Sequence, residues 1–208
     1  MPSWEALGLM SPDLEERKKM LSELSEDSPA GQARRSKFRS AIEQINHEYS
    51  GLGMEMNQRY NSGAVFQNDE GEWPPLPGDP IFHHEPITYP GSRLPHAWLN
   101  TAVPGKKLST IDLAGHGKFT LFIGIGGQKW REAAKMAEST LGVPIVVHSI
   151  GFGQDYEAMY FDWERLRQVD ENGCVLVRPD RFVAWRSMSL PQGCEEKLME
   201  VMRKILFR

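Results

Sequence analysis

The spacing of apolar and polar positions divides the chain into stretches of different period. From Ser11 to about Tyr60 the period is helical: Leu14, Leu21 and Leu24 recur at helical spacing, and Phe38, Ala41, Ile42, Ile45 and Tyr49 mark one face over three turns. Each helix has a start signal, Ser11-Pro12 and Ser28-Pro29, in which a capping hydroxyl precedes a proline at the first helical position. Gly51 and Gly53 end the second helix. Two helices with an apolar stripe each need a surface to lie against, either the rest of this chain or another copy.

From Leu108 onward the pattern alternates between strand and helix. Phe119 to Ile125 predicts a buried strand, Gln128 to Leu141 a helix with Trp130, Ala133, Ala134, Ala137 and Leu141 on one face, and Val143 to Ile150 a second strand parallel to the first. Tyr156 to Val169 contains a helix around Trp163 and Leu166. The runs Cys174 to Val177 and Phe182 to Trp185 flank the turn Arg178-Pro179-Asp180-Arg181 and predict an antiparallel hairpin. A last helix begins near Pro191, with Leu198, Val201, Met202, Ile205 and Leu206 facing inward. The order β-α-β-α-β-β-α is that of a thioredoxin-like mixed sheet with helices on both faces. Its redox pair is absent: Gly124-Ile125-Gly126-Gly127-Gln128-Lys129-Trp130 stands where CxxC would follow the first core strand, which argues against disulfide exchange.

Between these regions the composition changes. Eight of the fourteen prolines lie between Gly63 and Gly105, so this segment predicts a long irregular arm crossing the surface. Trp73, Phe82, Tyr89 and Trp98 mark it as packed rather than solvated. The expected organisation is a helical segment at 1–62, an arm at 63–107 and an α/β domain at 108–208.

Composition narrows the function classes. A formal charge of −4 gives no field to attract nucleic acid or anionic lipid, and neither is expected as a partner. No apolar run approaches the roughly 20 residues needed to span a bilayer, and Met1-Pro2-Ser3-Trp4-Glu5 lacks a secretory pattern, so a cytoplasmic location is expected. Cys174 and Cys194 are the two cysteines and read as free packing residues.

Longer phrases carry a resemblance. Glu55-Met56-Asn57-Gln58-Arg59-Tyr60, Pro90-Gly91-Ser92-Arg93-Leu94-Pro95-His96-Ala97-Trp98-Leu99, Phe119 through Gly127, and Gly173 to Asp180 continuing to Trp185-Arg186 resemble the C-terminal part of FAD-dependent aromatic hydroxylases of the phenol 2-monooxygenase and 2,4-dichlorophenol 6-monooxygenase type. The helix from Ser28 to Tyr49 is similar too, so the resemblance covers about residues 28 to 190. It implies a thioredoxin-like tail used for dimer contacts and support, with FAD and NADPH chemistry done elsewhere. The family's GxGxxG, DG and GD flavin motifs have no counterpart among these phrases. The Gly124 to Gly127 cluster has Lys129 at its sixth position and no acidic residue about twenty positions on, so it reads as close packing rather than a phosphate cradle. No cofactor is therefore expected on this chain.

The polar residues leave two readings. In the first, the chain is an accessory module linked to aromatic-compound oxidation or secondary metabolism, forming a homodimer or docking on a flavoprotein. In the second, it is a cofactor-independent enzyme for an aromatic or polyketide-type molecule, with His83, His84, Arg93 and His96 as acid/base and anion-holding groups. Asn57, Arg59, Tyr60, Trp98, Asp155 and Tyr156 are further candidates for a ligand or interface. Adjacent histidines diverge on an extended chain and make a poor chelate, so no metal is expected. His96, between Pro95 and Ala97, has a competing role in fixing its loop by hydrogen bonds. A truncated gene product without activity is a third possibility, whose exposed helix faces would favour dimerisation.

Overall fold

Helical signals near the N-terminus produce four helices, α1 (Pro2–Ala6), α2 (Leu14–Ser22), α3 (Pro29–Tyr49) and α4 (Leu52–Met56), with a 3-10 turn at Glu23–Ser25. The structure, a computed structural model, describes residues 2–101, 103 and 105–208. It divides into two compact units, one made of Met1–Glu55 with Gly78–His83, the other of Met56–Pro77 with His84–Arg208.

In the helical unit, α3 starts as the sequence predicts: the Ser28 hydroxyl accepts from Gly31 N at 3.1 Å, and Pro29 is the first helical residue. The cap of α2 differs from expectation. Asp13, not Ser11, accepts from Glu15 N at 2.8 Å, while the Ser11 hydroxyl accepts from Asp13 N and donates to Glu16. A carboxylate beside the first free amides also suits the helix dipole better than a hydroxyl. The buried residues of α3 are Gly31 and Ala41, and α2 has none. The stripe read from the sequence is half-buried at Phe38 and Ile45 and exposed at Ile42 and Tyr49. Polar links do much of the holding: Arg34 pairs with Glu23 at 2.7 Å and donates to Ala6 O, and Arg35 donates to Leu24 O and Glu26 O. Gly31 allows this closeness, since a Cβ there would lie 2.4 Å from Glu26 O.

The second unit is mixed α/β. Its elements are β1 (Trp98–Asn100), β2 (Leu108–Ser109), α5 (Thr110–Leu113), β3 (Phe119–Ile123), α6 (Lys129–Leu141), β4 (Ile145–Ser149), β5 (Glu157–Ala158), α7 (Asp162–Leu166), β6 (Cys174–Val177), β7 (Val183–Ser187) and α8 (Cys194–Ile205). The main sheet runs β4-β3-β6-β7, with β3 and β4 parallel and the other pairs antiparallel. Every residue of β3 is buried because both faces are covered, which is why its sequence is a continuous apolar run. One face packs on α6 and α8 through Leu121, Ile123, Leu176, Trp130, Trp185 and Leu198; the other packs on α7 through Phe122, Val175, Val183, Trp163 and Leu166. The hairpin forms around Pro179, but its second strand starts at Val183, with a register shift at Leu176/Val177 and Arg181 in the left-handed region. A second sheet, β2-β1-β5, was not anticipated, since strands of two or three residues have no readable period.

The proline-rich arm is packed, as its aromatics predict. Phe66 N donates to Ala184 O, Gly91 N to Val183 O, Val183 N to Ser92 O and Leu94 N to Arg181 O, so the arm occupies the outer edge of β7. Glu70 adds a two-pronged pair with Arg186, at 2.7 and 2.8 Å, with both side chains about nine-tenths buried. Both cysteines are buried and free. Burial pushes the Cys174 thiol well up, and burial with the neighbouring Glu195 carboxylate pushes Cys194 up to about 11. Among the described residues no helix is long and apolar enough to cross a membrane.

Candidate functional site

The arm and the chain leaving α4 build one recess in the second unit. Its walls include Asn57, Arg59, Trp73, His84, Ser92 and Arg93. Two local features set its shape. The Ser92 hydroxyl lies within hydrogen-bond distance of Ile87 O and Tyr89 O and ties the turn, and Gly91, at φ +99°, lets Tyr60 O approach to where a Cβ would be 2.2 Å away. Tyr60 N then donates to Gly91 O. The Trp73 ring lies 4.3 Å from that of Tyr89 at a tilt of 50°, the Tyr89 hydroxyl donates to Gly71 O, and the Arg59 guanidinium sits 4.5 Å over the Trp73 ring.

Within this recess His84 Nδ1 lies 2.9 Å from Asn57 Oδ1. With Nδ1 donating to that carbonyl, Nε2 is left as the acceptor. Burial lowers the His84 pKa; Glu85 opposes this and Arg93 adds to it, so the neutral ring is favoured. Burial also holds the Arg59 guanidinium below its usual value. A neutral imidazole beside guanidinium groups has the chemistry to orient one polar group and accept a proton from it. The free space is about 10 Å³, room for a single water and far less than an aromatic ring.

The other candidates lie elsewhere. His83 belongs to the helical unit. His96 is exposed and meets the Trp98 ring edge-on at 4.7 Å, with Lys107 5.8 Å over that ring. The hydrogen bonds that fix the His96 loop belong to Thr110, whose hydroxyl donates to Pro95 O and accepts from Ala97 N. No sequence signal singled out Thr110. Tyr60 lies against Phe182 and Arg178. Asp155 is structural in its contacts: it accepts from Ser149 N and pairs with Arg131, which also donates to Ser149 Oγ. These bonds outweigh desolvation and hold the Asp155 carboxyl below its usual pKa. Tyr156 meets His148 edge-on, and burial lowers the His148 pKa. Among the described residues no group of three His, Cys, Asp or Glu side chains is placed to hold a metal ion.

The glycine cluster after β3 is closely packed, as its reading from the sequence expects. A Cβ at Gly124 would lie 2.3 Å from Glu171 O, so that side of the turn is filled by backbone. Gly127 N donates to Gly124 O, Trp130 N to Gly127 O and Arg131 N to Gln128 O, so these three amides are engaged locally.

Known proteins are similar to this chain over most of its length. The 2,4-dichlorophenol 6-monooxygenase of Cupriavidus pinatubonensis is 40% identical over 204 residues, covering 98% of this chain and 34% of that enzyme. Phenol 2-monooxygenase of a Pseudomonas species is 40% identical over 202 residues, 97% of this chain and 33% of its own length. Among solved structures, the flavin-dependent monooxygenase PieE, in complex with FAD and substrate, superposes with a TM-score of 0.87 at 38% identity, covering 99% of this chain and 35% of that one. A ternary complex of aklavinone-11 hydroxylase with FAD and aklavinone gives 0.60 at 32% identity, over 72% of this chain and 26% of that one. The chain thus spans about a third of the length of these relatives. Residues 87–208 match the family described as aromatic-ring hydroxylase, C-terminal. On that match and these relatives, the chain belongs to the C-terminal region of the aromatic-ring hydroxylases.

Proposed function

We propose that this chain is the supporting C-terminal module of a flavin-dependent aromatic-ring hydroxylase, working in the cytoplasm with FAD and NADPH handled by a separate flavin-binding portion. The observation that carries this reading is the superposition on PieE, which takes in 99% of this chain and 35% of that enzyme. The recess around His84 and Arg59 has room for one water, and backbone fills one side of the turn at Gly124, which supports assigning the flavin chemistry to the separate portion. On this reading the module's role is mechanical, its sheet unit and its helical unit each supporting the catalytic portion.

The test begins with the purified full chain. It should be colourless and should not oxidise NADPH when phenols are added. Supplied to a phenol 2-monooxygenase from which the matching C-terminal third has been deleted, it should raise NADPH-dependent hydroxylation above that of the deleted enzyme alone. A yellow chain that consumes NADPH with phenol by itself would overturn the proposal.

A further inference from the structure

One side of α3 is packed at its start and bare at its end. Gly31, Arg34, Phe38, Ile42, Ile45 and Tyr49 follow one another in steps of three and four residues, so they lie along the same side of the helix. In the first turns that side is occupied: Gly31 is buried, and Arg34 pairs with Glu23 and donates to Ala6 O. Toward the other end the cover stops. Ile42 is 37% and Tyr49 80% exposed, and on α4 Leu52 and Met54 are 54% and 70% exposed. The end of α3 is nevertheless anchored from a different direction. His47 Nε2 lies 3.3 Å from Asp79 Oδ2, its ring meets Phe82 edge-on at 5.0 Å, and Gly53 N donates to Ile81 O at 2.8 Å. At about 100° per residue, His47 points about 160° away from Tyr49. The bare stripe therefore sits on an anchored helix end, not on a frayed one.

The position of this helix along the chain points to what covers it. The helical unit, Met1–Glu55 with Gly78–His83, lies wholly before residue 87, where the match to the C-terminal family begins. The two phenol-type monooxygenases match over 98% and 97% of this chain, so the matched stretch in each takes in this unit as well. Those enzymes are about three times as long. In them the counterpart of the helical unit stands between the C-terminal family region and the rest of the polypeptide. The preceding portion is thus tethered next to this unit, and a tether gives the contact a high effective concentration.

Resting on the module reading above, we propose that the bare stripe of α3, Ile42, Ile45 and Tyr49, with Leu52 after it, is the surface on which the flavin-binding portion of the hydroxylase docks. The contact is apolar and centred on Tyr49, whose ring brings a large area and whose hydroxyl keeps a hydrogen bond available to the partner. His47, Asp79 and Phe82 hold the helix end in place from the far side, so the stripe is presented without an ordering cost at docking.

A photo-reactive residue identifies the occupant. p-Benzoylphenylalanine is placed at the position matching Tyr49 in the intact, FAD-loaded 2,4-dichlorophenol 6-monooxygenase of Cupriavidus pinatubonensis, and at Tyr49 in this full chain. Circular dichroism and, for the enzyme, the flavin spectrum check folding. Illumination of the enzyme should cross-link within one polypeptide, to a peptide in its first two thirds. A cross-link between two subunits, one within the C-terminal third, or none would overturn the docking, and so would a dimer band from this chain illuminated alone. In the rescue of the shortened phenol 2-monooxygenase, Ile42→Asp/Tyr49→Asp in this chain should cut the gain in hydroxylation at least about tenfold, the loss of roughly 1.4 kcal/mol of docking; an undiminished gain would overturn it too. The two assays separate this inference from the module reading. Rescue by the wild-type chain with a cross-link that runs elsewhere would sink the docking surface and leave the module reading standing. A cross-link into the first two thirds without rescue would do the reverse.

Discussion

The two units are built by different means from one chain. In the sheet unit Trp130, Trp163 and Trp185 are almost wholly buried, and apolar clusters fill both faces of the β4-β3-β6-β7 sheet. In the helical unit a helix of 21 residues has Gly31 and Ala41 as its buried positions, and α2 buries none. There the order depends on caps and on long-range polar links such as Arg34 to Glu23 and Arg35 to two backbone carbonyls. An isolated helix as short as the nine-residue α2 is marginal in water. The difference teaches that the strength of the apolar period tracks burial. Leu198, Val201 and Ile205 lie on the strongly one-sided α8 and are buried, whereas Ile42 and Tyr49 lie on the more weakly one-sided α3 and are exposed.

The contrast can be broken by substitution. Trp130→Ala should have the largest effect, about 4 kcal/mol from lost apolar contact and cavity, seen as an earlier urea midpoint. If it cost less than about 1 kcal/mol, the sheet core would not be the main source of stability. Next is Arg186→Met, which leaves the Glu70 carboxylate nine-tenths buried without its partner; about 3 kcal/mol should be lost, and Glu70→Gln in the same chain should return part of it.

A smaller effect is expected from pH. Burial lowers the pKa of His148 and of His84 in the folded chain, so between their folded values and the unfolded value of about 6.5 the unfolded chain binds more protons. Their contribution is complete above about pH 6.5 and is lost as pH falls through the folded values. His148→Gln should flatten this acid slope in urea titrations run at neutral and mildly acidic pH. The smallest effect should come from Tyr49→Ser, 80% exposed, at no more than about 0.5 kcal/mol. A loss several times larger would mean that the α3 stripe is covered in solution, and the contrast between the units would disappear.

Sequence reading succeeded where local period and burial agree. The strand at Phe119 and the helices at Lys129 and Cys194 were legible within a few residues, because an all-apolar run and a one-sided stripe are direct imprints of two-sided and one-sided burial. The helix α1 and the sheet β2-β1-β5 were not, being too short to show a period. The candidate site was legible only in part. His83 and His84 are neighbours in sequence yet fall in different units, while His84 meets Asn57, 27 residues earlier. The pairs Arg131 with Asp155 and Arg186 with Glu70 join residues 24 and 116 positions apart, and nothing local announces such partners.

The two buried thiols also matter at the bench. With Cys174 enclosed in the core and Cys194 protonated up to about pH 11, the native chain has almost no thiolate to react with a maleimide at neutral pH. A single cysteine introduced at an exposed position such as Phe152 would therefore accept a spectroscopic label on an otherwise silent background, with both natural cysteines left in place.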